Sequence, residues 1–344
     1  MNMIIINALL LAGFAGIING SFALPTKFVK QWNFEHIWFQ YSIWAFLILP
    51  WVFAYFISPD IFKVYEAVPM HYILIMAIGG LLFGMGQIGL ALAIDWIGIG
   101  LALVICIGLA TGLGFFLPFI TLHTDQILTR LGCLTILGTL LAILGLIFST
   151  IAGNLRSKNN PSAETSETHL HSKHYGAGVF LAIIAGLFSA GENFTFALCV
   201  PMQTTATQLG VHHLGAANIM WPGFLVFTFI PYAIYMLYLH HKNHSAHLYR
   251  SNKTPLYFIF AIIMGAFWFC SLIFYSKSTQ LIGSLGPVLA WPLFMTFIIL
   301  TSNFWGWACK EWKNCGKKSA RILWMGLICL IASVIIFAIS AHIG

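Results

Sequence analysis

Charge is nearly missing from this chain. Only 7% of its 344 residues are Asp, Glu, Lys or Arg, against about a quarter in an ordinary soluble domain. So few charges cannot clothe a water-facing surface. With 60% apolar residues, the chain reads as an integral membrane protein. Paired cysteines are missing too. The seven cysteines (106, 133, 199, 270, 309, 315 and 329) are scattered, and none forms a CxxC, so neither a disulfide framework nor a zinc site is expected. There is no Walker A, no Gly-rich nucleotide loop after a strand and no HExxH, which argues against ATP drive and intramembrane proteolysis. An enzyme is not expected. The opening residues, MNMIIINALLLAGFAGIING, lack the basic region of a cleaved signal peptide and read as a retained first span.

Long apolar runs are what is present. A bilayer core about 30 Å thick needs about 20 apolar residues per helix. The runs place spans over 3–25, 37–58, 71–94, 97–121, 131–153, 177–200, 214–239, 256–276, 281–308 and 321–342. They lack the period-two alternation of a membrane barrel, so the expected class is all-α with ten transmembrane helices.

The few cations are unevenly shared. Loops after odd-numbered spans hold Lys27, Lys30, Arg156, Lys158, Lys173, Lys242, Arg250, Lys253, Lys310, Lys313, Lys317, Lys318 and Arg321, which is 13 of the 16. The other side holds Lys63, Arg130 and Lys277. The positive-inside rule then puts the odd-to-even loops in the cytoplasm and both termini in the periplasm. The net charge of +7 is explained by these loops and does not point to nucleic acid.

The polar stretch 154–176 divides the chain into two sets of five spans, 1–153 and 177–344, and reads as a cytoplasmic linker. Each half opens with the same phrase. "NGSFAL" (19–24) returns as "NFTFAL" (193–198), an offset of 174. Phe46-x-x-Leu49-Pro50-Trp51 answers Phe227-x-x-Ile230-Pro231-Tyr232 at 181, and Gly80-x-x-Phe83 answers Gly265-x-x-Trp268 at 185. Ile97-Gly98 and Ile282-Gly283 share that last offset. An offset that never shrinks along the chain is what a duplication with small loop insertions leaves. Because five is odd, the second half enters the membrane from the opposite side. The expectation is two inverted-topology repeats, a construction of secondary transporters that bind substrate near the midplane. Asn19 and Asn193 should then meet as pseudo-symmetric mates.

Ten helices in two such halves, with glycine-rich third and fourth spans, resemble the drug/metabolite transporter superfamily. Within it, "ILPW" (48–51), "FGMGQIGLALAIDWIGIGLALVICIG" (83–108), "FSAG" with "FAL" and "PM" (188–202) and "KEWKNCGKK" (310–318) resemble the L-rhamnose–proton symporter family over essentially the whole chain. That resemblance implies proton-coupled uptake of L-rhamnose or a similar carbohydrate across a bacterial inner membrane by alternating access. It implies no cofactor beyond the proton as coupling ion. An exporter of amino acids or other small metabolites on the same fold is the alternative. Expected partners are the small sugar and the lipid bilayer, and a homodimer stays open.

Glu192 is the acid that lies well inside a span. Burial in low dielectric favours its neutral form, so it is the candidate to load and release a proton. Asn19, Ser21, Asn193 and Thr195 of the repeated phrase, with Gln87 and Asn303, either line a cavity or bond neighbouring helices. Trp221, Trp268 and Trp291 are candidates to stack on a sugar ring. His240, His244 and His247 stand at i, i+4 and i+7, a spacing that could hold a metal. No acid or cysteine accompanies them, so they read as a solvated helix end and no metal is assigned.

Overall fold

The computed structural model describes residues 3–159, 175–313 and 315–343. Ten helical segments in it are long and apolar enough to cross a membrane. They are span 1 (Met3–Phe28), span 2 (Phe34–Ile57), span 3 (Met70–Ile97), span 4 (Gly100–Leu122), span 5 (Arg130–Arg156), span 6 (Tyr175–Gln208), span 7 (His213–Lys242), span 8 (Thr254–Ile282), span 9 (Gly286–Ala308) and span 10 (Lys317–Ile343). No strand occurs among the described residues.

The departures from the expected spans have local causes. The helix of span 5 runs to Asn159, so the first residues of the expected linker are helical; 160–174 lie outside the described residues. Span 6 passes through a break at Cys199 into a further helix, Val200–Gln208, with Pro201 in its first turn, where a missing N–H is harmless. Span 2 is wound as a π-helix over Ile43–Ile48. That widened turn comes directly before Pro50, which cannot supply the hydrogen bond an α-helix needs there. A short helix, Ile61–Ala67, fills the connection to span 3 and was not foreseen.

Span 6 packs against spans 3 and 4, and span 1 packs against spans 8 and 9. Spans 5 and 10 pair with each other. Glycine sets these approaches, as expected where helices associate by close packing in lipid. A Cβ on Gly79 of span 3 would strike Thr195 of span 6, and one on Gly326 of span 10 would lie 2.9 Å from the Gly145 carbonyl of span 5. Gly80 of span 3 meets the backbone of span 7 at Phe224, and Gly265 of span 8 meets span 2 at Trp44 and Ala45. The joints between spans 3 and 4 and between spans 8 and 9 turn on Gly98 and Gly283, at φ +83° and +90°. Only glycine occupies that backbone region without strain.

Two faces follow from the chain direction. The face carrying the odd-to-even loops, here the basic face, has an ion-pair cluster in which Glu311 accepts from Lys27 and, at 2.7 Å, from Arg156. The Arg156 guanidinium also lies 5.0 Å from the Trp312 ring. Exposed pairs contribute about 0–1 kcal/mol each, but this cluster joins three loops. The opposite face carries the ends of spans 1 and 10 and two adjoining cavities of about 580 and 480 Å³. They share His123 and Ser284.

Candidate substrate and proton site

The site grows from a defect in span 4. Pro118 lies inside that helix and has no N–H, so the carbonyl of Gly114, four residues earlier, loses its helical donor. Asn193 of span 6 replaces it. Its Nδ2 donates to Gly114 O at 2.8 Å and to Pro287 O of span 9 at 3.1 Å. Its Oδ1 accepts from the Tyr275 hydroxyl of span 8. One fully buried amide thus joins four spans. Pro287 also lines the 480 Å³ cavity, with His71, Tyr72, Pro118, Ala197 and Pro201, so Asn193 sits behind that cavity's wall.

Glu192 stands one residue earlier, 7% exposed. No hydrogen bond or ion pair to it occurs among the described residues. Its carboxyl lies within electrostatic reach of the Tyr41 and Tyr275 hydroxyls, and neither open cavity is lined by it. A lone ionised carboxylate in such a place costs several kcal/mol. Its charge state is therefore tied to whether water or a ligand reaches it.

Asn19 does not meet Asn193. Its Nδ2 donates to Ser271 Oγ of span 8 at 2.8 Å, and Ser271 in turn donates to Trp268 O at 2.6 Å. Ser271 and Tyr275 are one helical turn apart, so the two asparagines address the same face of span 8 rather than each other. The expectation of a direct pair is corrected: no hydrogen bond joins them, and each is bonded to span 8 instead.

The tryptophans separate into two kinds. Trp221 and Trp291 are 0% and 1% exposed, with indole N–H groups committed to Ser276 Oγ at 2.6 Å and Ala110 O at 2.9 Å. Trp221 is stacked on Phe196 at 5.3 Å. Both shape the wall from behind and do not face open space, which corrects their assignment as sugar platforms. Trp268 keeps 8% exposure among Tyr41, Phe46 and Phe83, and no protein acceptor takes its N–H among the described residues.

The remaining candidates divide likewise. Ser21 accepts from Trp305 Nε1 of span 9 at 2.7 Å, and Asn303 donates to Ile299 O at 2.9 Å and to Ser149 Oγ of span 5 at 3.3 Å. Both bond helices together. Thr195 is buried against Gly79. Gln87 is half-buried, with no hydrogen bond among the described residues. Sequence reasoning passed over Tyr41, Ser271 and Tyr275. The hydroxyl-rich "CSLIFYSKST" of span 8 was the available signal.

The family model described as L-rhamnose-proton symport protein (RhaT) matches residues 1–342. The chain is 30% identical over 323 residues to the L-rhamnose-proton symporters of Salmonella paratyphi A and Salmonella gallinarum, covering 90% of each chain. Matched by the family model along nearly its whole length, and by relatives 30% identical over 90% of each chain, the chain belongs to the L-rhamnose-proton symport protein (RhaT) family.

Proposed function

We propose that this protein carries L-rhamnose, or a deoxy-sugar close to it, into the cell together with a proton. It is a proton-coupled sugar symporter and a multi-pass protein of the inner membrane, a transporter rather than an enzyme. The single observation that carries the residue-level reading is Glu192, a buried carboxyl with no protein partner, next to an asparagine that bridges four spans. In this reading Glu192 takes the proton, Trp268 offers its ring to the apolar face of the sugar, and Asn19, Gln87 and Asn193 supply polar contacts. Asn193 holds spans 4 and 9 together beneath the open cavities, and releasing it opens the path to the acid.

The architecture we infer is that of the drug/metabolite transporter superfamily, two inverted repeats of five spans. Three observations support it. Span 1 packs on spans 8 and 9 as span 6 packs on spans 3 and 4. Gly80 touches span 7 as Gly265 touches span 2. The joints at Gly98 and Gly283 use the same positive φ. We read the basic face as cytoplasmic from its charge, with both termini and the two cavities on the periplasmic side in this reading.

The test is uptake of radiolabelled L-rhamnose into vesicles across an imposed pH gradient, against a panel of hexoses and pentoses. Accumulation that collapses with a protonophore and is competed best by L-rhamnose is the expected result. Uptake indifferent to the gradient, or a different sugar competing best, would overturn the coupling or the substrate respectively.

A further inference from the structure

A second cluster lies on the basic face, away from Glu192. Glu35 and His36 occupy the first turn of span 2, and His240 the last turn of span 7. Their ligand atoms all lie within 4.8 Å of one another. The His36 and His240 rings are nearly perpendicular, with centroids 4.4 Å apart.

His36 is the informative member. It is 0% exposed, and its Nε2 lies 3.0 Å from the backbone carbonyl of Ser245. A carbonyl accepts only, so Nε2 carries the proton and Nδ1 presents a lone pair. That Nδ1 is buried with no hydrogen-bond partner. An imidazole with one N–H fixed by a carbonyl and its other nitrogen bare is prepared as metal-binding histidines are. A buried acceptor left without a partner is unfavourable, and a bound cation would remove that cost.

The surroundings are those of an outer shell. Glu35 Oε1 accepts from Ser245 Oγ at 2.6 Å and from Asn243 Nδ2 at 3.2 Å. His240 has Ser245 Oγ and the Tyr249 hydroxyl at 3.3 Å on its two nitrogens. A hydroxyl donates or accepts, so either nitrogen of His240 is available to ligate while the other stays bonded. Trp32 and Tyr249 close the cluster with aromatic rings. The donor set is two imidazoles and one carboxylate, which suits a borderline divalent ion with a fourth position for water. Tetrahedral donors sit roughly 3.3 Å apart around zinc, so the side chains must close by at most about 1.5 Å.

We propose that Glu35, His36 and His240 bind a divalent transition-metal ion of the zinc class, tying the start of span 2 to the end of span 7. The site is independent of the transport reading, and so is its test.

The exposed His241, His244 and His247, and the exposed thiols of Cys133 and Cys309, would also take up metal. The full-length protein is therefore purified without a histidine tag, with those three histidines changed to Ala and the exposed thiols alkylated. Titration with Co²⁺ should saturate at one equivalent, with the visible bands of a low-coordinate ion, and Zn²⁺ should bleach them. Zn²⁺ should also raise the melting temperature. His36→Ala should weaken Zn²⁺ binding by more than about 10-fold, and Ser245→Ala, which removes an outer partner, by about 10-fold. His240→Gln, at the half-exposed end of a helix, should abolish both the Co²⁺ bands and the melting shift. It keeps the test decisive if His36→Ala does not fold. No stoichiometric Co²⁺ binding in the background protein, or affinity unchanged by His240→Gln, would overturn the proposal.

Discussion

Spans 1 and 6 carry the same phrase, yet the residue before the asparagine is Ile18 in one and Glu192 in the other. Their surroundings differ in the same sense. Among the described residues the Asn19 side chain makes a single hydrogen bond, to Ser271, whereas that of Asn193 makes three and repairs a proline defect in span 4. The lesson is that the packing is shared between the two helices while the chemistry belongs to one. In the reading proposed above, a carrier built from two similar halves needs only one proton site, and Glu192 puts it in the second.

The strongest way to break that comparison is to remove the acid. Glu192→Gln keeps the hydrogen-bonding shape and loses the titration. Gradient-driven accumulation should fall to that of vesicles without the protein, while equilibrium exchange of labelled sugar continues. Adding Ile18→Glu should not restore it, because the Tyr41 and Tyr275 hydroxyls lie within electrostatic reach of Glu192. Restored accumulation would make the two positions equivalent and end the distinction. Next in size is the asparagine pair. Asn193→Ala should destabilise the protein in detergent by about 3 kcal/mol, leaving a carbonyl unpaired, and Asn19→Ala by about 1 kcal/mol. Equal losses in denaturation would contradict the asymmetry.

The shared part of the comparison has its own measure. Gly265→Ala places a methyl 2.7 Å from Trp44 Cβ, and Gly80→Ala meets the backbone of span 7 in the same way. Each should cost about 1–3 kcal/mol. A large loss at one and none at the other would argue against an inverted repeat. The smallest effect belongs to the basic face. Lys27→Ala should cost less than about 1 kcal/mol, and the difference should shrink further in melts at high salt.

Much of the fold was legible because lipid imposes a length on every helix. Runs of apolar residues located the ten spans, although they end spans 3 and 8 at 94 and 276, short of the corners at Gly98 and Gly283. Glu192 was legible for the same reason, since an acid has few reasons to sit deep in a span. The partners were not. Nothing local in the sequence says that Pro118 frees a carbonyl for Asn193, or that Ser271 and Tyr275 face the two asparagines, because those contacts are decided by helix rotation. The histidines show the limit most clearly. The 240, 244, 247 spacing suggested one helical face, but the helix ends at Lys242 and His244 takes a left-handed conformation. His240 turns instead to Glu35 and His36, more than 200 residues away, a proximity no spacing rule encodes.

The corners at Gly98 and Gly283 limit the degrees of freedom of the molecule. Few residues separate span 3 from span 4 or span 8 from span 9, too few to let one helix tilt far without dragging the other. Ten helices therefore count as fewer independent bodies, with spans 3 and 4 and spans 8 and 9 each joined as a pair. In the transport reading proposed above, a passage opens along the seams, where span 6 packs on the first pair, span 1 on the second, and span 4 on span 9. Asn193 is bonded across two of those seams at once, and Trp291 adds a second tie between spans 4 and 9 through Ala110 O.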